Sequence, residues 1–176
     1  MDKLSIESAH VYGCSSGGAA VLGLVADHPT RVLSAIVHEV PMGNFEQVEA
    51  LCQLEDSAIV ETCREIFSTV MCEDKAAWEA LGPEYHARLD KNYVTWIRKY
   101  VGRIEKSSLT EKELRQRPIA WTVGSLNPMG FFFENVLTAV RADVPISLLP
   151  CKHFPQVTIP EKLADHIRES AMRMVD

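Results

Sequence analysis

The sequence predicts an α/β chain whose mostly parallel sheet of about four strands is interrupted by a helical insertion. Three observations predict it. Short apolar, β-branched runs alternate with helix-compatible segments at both ends of the chain. A knot of small residues, Gly13-Cys14-Ser15-Ser16-Gly17, joins the first such run to the first helical one. Between the two alternating ends, residues 44–115 carry apolar residues at helical spacing, with little glycine and no convincing strand.

In chain order, residues 8–12 (SAHVY) read as a strand running into the Gly/Ser knot. The apolar run that follows has helical spacing and ends at Asp27-His28-Pro29, where proline blocks continuation. Residues 32–37 (VLSAIV) form the β-branched apolar run expected of a buried parallel strand, completing a βαβ unit. Segments 44–54, 57–71, 75–81, 83–104 and 110–116 are then amphipathic helices of the insertion. The cysteines and aromatics of this insertion (Phe67, Trp78, Trp96, Tyr100) are expected to form its own core or the roof of a pocket. After Arg117-Pro118 the alternation resumes: strand 119–123 (IAWTV), loop, helix 131–142, strand 145–150 (PISLLP), loop 151–158 and an amphipathic terminal helix from Ile159, with Pro160 in its first turn. The domains read as a core of residues 1–41 and 117–176 and an insertion of residues 42–116.

Composition narrows the function classes. The 176 residues are 47% hydrophobic and 24% charged, with a net charge of −6 and no basic stripe, which argues against a nucleic-acid partner. Apolar runs fall short of the roughly 20 residues a membrane span needs, and Met1-Asp2-Lys3-Leu4 opens no signal-peptide apolar region. The five cysteines form no C-x-x-C pair and stand at no zinc-ligand spacing, so they read as free thiols of a reducing, cytoplasmic compartment. No metal or organic cofactor is expected.

The Gly13-x-Ser15-x-Gly17 pattern has a mechanical reading. A strand that turns sharply into a helix holds its serine exposed at the carboxyl edge of the sheet, and glycines flank it where side chains would collide. The N–H of Ser16, opening the helix, would point toward an oxyanion. Ser15 is therefore the candidate nucleophile, whereas Cys14 faces strand packing.

The segments VYGCSSGGAA, HPTRVLSAIVHEVP, PIAWTVGSLNP and LLPCKHFPQVTIPEKLADHI, taken in order, resemble the α/β-hydrolase fold from its nucleophile elbow to its last helix, with a helical lid between. The resemblance covers nearly the whole chain. It implies a serine nucleophile, a histidine in the loop after the last strand, and an acid after one of the two intervening strands. His153, in Cys151-Lys152-His153-Phe154, fits the histidine role, although Cys151 stands where relatives commonly carry glycine. The other five histidines read as structural. The common acid position falls on Asn127, which offers no negative charge. A second placement, used in some branches of the fold, falls on Glu39 at the end of strand 32–37. Glu39 is the first choice and Asn127 the alternative. Met42, Met129 and Phe131 to Phe133 lie just past strand ends and either line an apolar pocket or pack in the core.

The resemblance also implies that the fold's first strands, with the loop giving a second oxyanion N–H, are absent, leaving a truncated half-sheet whose edge is the elbow strand. Such an edge seeks a partner. The chain is then a fragment, pairs with a copy of itself or with a separate N-terminal partner, or is a shortened relative without turnover. The expected function is a serine hydrolase acting on an ester, thioester or lactone of a small, fairly apolar molecule. The rival readings are a binding or assembly subunit without turnover, and a cyclase or lyase reusing the pocket.

Overall fold

A computed structural model describes residues 1–42, 50–101, 109–128 and 132–174. Met129 and Phe131 of the expected pocket, and the start of the first insertion helix, lie outside the described residues. Four strands, β1 (Ala9–Cys14), β2 (Val32–His38), β3 (Ile119–Gly124) and β4 (Ile146–Leu149), form one sheet in the order β1-β2-β3-β4. Every pairing is parallel. All four carboxyl ends therefore lie on one edge, where an open α/β sheet binds its ligands.

Each strand is a short apolar run that can bury both faces. On one face, helix α1 (Ser16–Asp27) packs Val21, Leu22 and Val25 against Val32, Ala35, Val37 and Trp121 of the sheet. The other face carries a separate cluster of Tyr12, Leu149, Cys151 and Leu163. Leu163 belongs to the long terminal helix described below with the histidine loop.

The chain folds as two compact units, Met1–Met42 with Ser108–Asp176, and Gly43–Ser107. The second unit contains α2 (Asp56–Glu65), continued by a π-helical turn at Ile66–Val70, then α3 (Lys75–Glu79) and α4 (Pro83–Lys99). It has a core of its own: Ile59, Cys63, Tyr93, Ile97 and Val101 are buried together. Phe67 packs at its margin against a tilted Tyr93 ring and meets Trp96 edge-on, with ring centroids 5.1 and 5.6 Å apart. Trp78 packs beside His86, and Tyr100 is exposed.

The segment TEKELRQ, expected in the insertion, belongs instead to the sheet unit. Helix α5 (Glu111–Leu114) is closed at its start by a capping box between Thr110 and Glu113, and it drives Leu114 into the core beside α1 and the sheet. A single buried leucine decides its allegiance, and a pattern of amphipathic spacing does not reveal which core it enters.

Helix α6 (Phe133–Ala142) carries a polar group that the core requires. Asn135, 2% exposed, accepts at Oδ1 from the Trp121 indole N–H (2.8 Å) and from the Val40 N–H (2.7 Å), and donates Nδ2 to the Val40 carbonyl (2.8 Å). It thereby finishes β2 after its last ladder bond, deep in the interior. Asn135→Ala is expected to strand these three buried partners and lower stability by about 3 kcal/mol. The measurement is a shift of the urea midpoint at unchanged m-value.

Candidate active site

Ser15 stands at the junction of β1 and α1 in a conformation only a tight elbow enforces, φ 54° and ψ −126°. Such backbone costs on the order of 1–3 kcal/mol and persists where the surroundings over-determine it. Here the ladder does so: the Ser15 N–H donates to the His38 carbonyl (2.8 Å) while the Ser15 carbonyl accepts the first helical bond, from Ala19 (3.1 Å). A methyl group at Gly13 would fall inside the backbone of Gly17 and Gly18. Strand and helix touch main chain to main chain, which is why the pattern needs glycine at position 13. The Ser16 N–H, in the first turn of α1, has no partner within the helix by geometry.

One strand over, Glu39 also takes a positive φ, 46°, as β2 ends. Its N–H donates to the Thr122 carbonyl (3.1 Å), and its side chain is fully buried. Three donors meet the carboxylate. Oε1 accepts from the Gly124 backbone N–H (2.6 Å) and the Asn127 Nδ2 (2.5 Å), and Oε2 from the His153 Nδ1 (2.6 Å). A buried carboxylate is tolerated when its lone pairs are matched this way.

His153 lies in the loop after β4, before the short helix α7 (Pro155–Thr158) and the terminal helix α8 (Pro160–Arg173). It is 4% exposed, with Phe132 stacked parallel to its ring at 5.3 Å and Phe154 edge-on at 5.0 Å. With Nδ1–H directed at Glu39, a neutral ring leaves its lone pair on Nε2. The loop is tied back to the elbow strand by Cys14, whose Sγ donates to the His153 carbonyl (3.3 Å). Burial pushes the Cys14 thiol up to about 12, with the Glu39 charge adding to it, so this sulfur stays protonated. A Cβ at Gly124 would fall inside the Cys151 and Lys152 carbonyl oxygens, so the strand end and the histidine loop also meet at glycine.

The structure thus brings Glu39 and His153 into direct contact, and sets Asn127 on Glu39. His38, which reads as structural in the sequence, lies beside the pair. It is fully buried, with Nδ1 2.9 Å from the Thr122 hydroxyl, Nε2 3.3 Å from the Lys152 carbonyl and 3.8 Å from Glu39 Oε2. Burial lowers its pKa to about 4, against the opposing pull of Glu39. Neutral at ordinary pH, His38 bridges the Thr122 hydroxyl and the Lys152 carbonyl with its two ring nitrogens. A histidine near the end of a strand, directly before a candidate acid, was the available signal. Gly124 as a donor left none, because any residue but proline has a backbone N–H.

Polar groups from β2, β3 and the loop after β4 meet at the carboxyl edge of a parallel sheet, beside a serine on a strained elbow, and this matches a known architecture. The chain superposes on the enol-lactonase of Burkholderia xenovorans with a TM-score of 0.66, at 14% identity, over 98% of this chain and 68% of that one. This is an α/β-hydrolase fold. Two curated proteins named zearalenone hydrolase are similar in sequence: one from Cladophialophora bantiana, 41% identical over 174 residues, and one from Bionectria ochroleuca, 37% identical over 175. Each alignment takes in 98% of this chain, which spans 65% and 66% of the relatives' lengths, just under two thirds. No family model matches the chain. Among the described residues of this hydrolase fold, no group of three or more His, Cys, Asp or Glu is arranged to hold a metal, and no helix is long and apolar enough to cross a membrane.

The buried neutral His38 has a consequence for stability. The unfolded chain binds a proton at an ordinary histidine near pH 6.5, whereas the folded chain resists until about 4. Between these values the unfolded state holds more protons, so stability is expected to fall as pH drops from about 6.5 to about 4, by up to about 3 kcal/mol. Urea midpoints across that range check this, and His38→Asn is expected to flatten the dependence.

Proposed function

We propose that the chain is the catalytic part of a serine hydrolase that cleaves an ester or lactone bond in a small, fairly apolar molecule. The observation that carries this reading is the buried 2.6 Å contact between His153 Nδ1 and Glu39 Oε2 on the sheet edge that also bears Ser15. Ser15 Oγ attacks the carbonyl carbon as its proton passes to His153 Nε2. The imidazolium is stabilised by the carboxylate behind it, and the charge on the former carbonyl oxygen by the Ser16 N–H. Collapse of the tetrahedral intermediate expels the alcohol oxygen, which takes the proton from His153. Water then attacks the acyl-serine, giving its own proton to His153, and the acid leaves with Ser15 restored.

Glu39 takes the acid role in this reading. The acid must face Nδ1 with a negative charge, and Asn127 spends its amide on Glu39 and has no charge to offer. The names of the two curated relatives make zearalenone the first substrate to test, and the enol-lactonase likeness makes lactones the first class. The helical unit, Gly43–Ser107, is proposed as the lid, and the Phe132 ring on His153 as part of the apolar lining.

A fluorophosphonate probe with intact-mass readout tests the reading before any substrate is known. Wild type is expected to gain one adduct, and Ser15→Ala none. Glu39→Gln is expected to slow labelling by about three to four orders of magnitude. Folded wild type that takes no label would reject hydrolysis by Ser15, and unchanged labelling in Glu39→Gln would move the acid role elsewhere.

A further inference from the structure

We propose that Asn127 is a positioning residue for Glu39, a neutral clamp that fixes one carboxylate oxygen so that the other alone meets His153. Its catalytic consequence rests on the serine-hydrolase reading, while its geometry does not.

The clamp follows from how the carboxylate's lone pairs are shared. Oε1 receives the Asn127 amide at 2.5 Å and the Gly124 N–H at 2.6 Å, and Oε2 receives His153 at 2.6 Å. Rotation of the carboxylate would break both bonds to Oε1 together, so the orientation of Oε2 is inherited from that pair of donors. The Gly124 donor is main chain and cannot be varied. Asn127 is half-buried, follows β3 by only three residues, and lies so close to Gly124 that a methyl group there would touch its nitrogen. It is therefore the adjustable half of the clamp.

Neutrality is the second requirement. An aspartate is isosteric with asparagine, and at this position it would bring a second carboxylate to hydrogen-bond distance of the first. Two carboxylates so placed cannot both ionise freely and share a proton whose apparent pKa is raised. While that proton is bound, the introduced carboxyl group donates an O–H to Oε1 and imitates the amide. Once it leaves, the two charges repel and Oε2 is driven from its place opposite His153.

Three other titratable groups facing Glu39 hold still over the relevant range. His38, from β2, stays neutral because burial lowers it to about 4. Cys14, from β1, is raised to about 12, and burial carries the Tyr12 phenol above its usual value. His153, from the loop after β4, faces Oε2 in variant and wild type alike.

The test compares fluorophosphonate labelling rates of the full chain, Asn127→Asp and Asn127→Ala from about pH 5 to 8. The Asn127→Asp rate relative to wild type is expected to fall about tenfold as pH rises, whereas Asn127→Ala sits about tenfold below wild type at every pH. A second readout needs no catalysis: the downfield proton resonance of the His153 Nδ1–H. In Asn127→Asp it should persist at about pH 5 and vanish by about pH 8, while wild type keeps it throughout. Labelled wild type, with an Asn127→Asp ratio and resonance that ignore pH, would overturn the clamp and leave the hydrolase reading intact. Unlabelled wild type whose variant resonance still follows pH would reject hydrolysis and support the clamp.

Discussion

Much of the sheet unit is arranged around one buried carboxylate. Glu39 has no exposed surface, and an unpaired charge there would cost several kcal/mol. Each of its partners comes from a different part of the chain: Gly124 from the end of β3, Asn127 from the turn after it, and His153 from the loop after β4. Satisfying the charge therefore fixes the relative positions of three segments at one edge. The main-chain bonds of Ser15 to His38 and of Glu39 to Thr122 extend the parallel ladder one step past the strand ends. The elbow and Glu39 share that scaffold, so the serine is set by the same register that sets the carboxylate.

Neutral groups hold the charged one. His38, Thr122, Asn135 and Asn127 supply hydrogen bonds around β2 and its end without adding a second charge. Burial keeps His38 neutral, and the Cys14 thiol stays protonated while pinning the histidine loop. In a low-dielectric interior an added charge would compete for the same donors. The close meetings at Gly13 and Gly124 serve the same end, letting main chain approach main chain where side chains would force the loops apart.

The helical unit is built differently. It buries its own apolar stripe, with Phe67, Tyr93 and Trp96 packed together, and its surface is laced with ion pairs such as Arg64 with Asp90. Its periodicity was legible because amphipathic helices advertise one face. The allegiance of the last segment of that stretch was not, since Leu114 could have filled either core.

The sequence alone determined the strand and helix alternation, the glycine-flanked serine, and Glu39, Asn127 and His153 as the residues to watch. These depend on local pattern: β-branched runs, proline stops, and small residues where a strand turns into a helix. Only the tertiary structure decided who touches whom. Asn127 and Glu39 were rivals for one role in the sequence; in space the amide of one donates to the carboxylate of the other. His38 read as an ordinary strand histidine and reaches the Lys152 carbonyl because β2 and the loop after β4 converge. Such contacts join residues more than 80 positions apart, and no local periodicity carries that information.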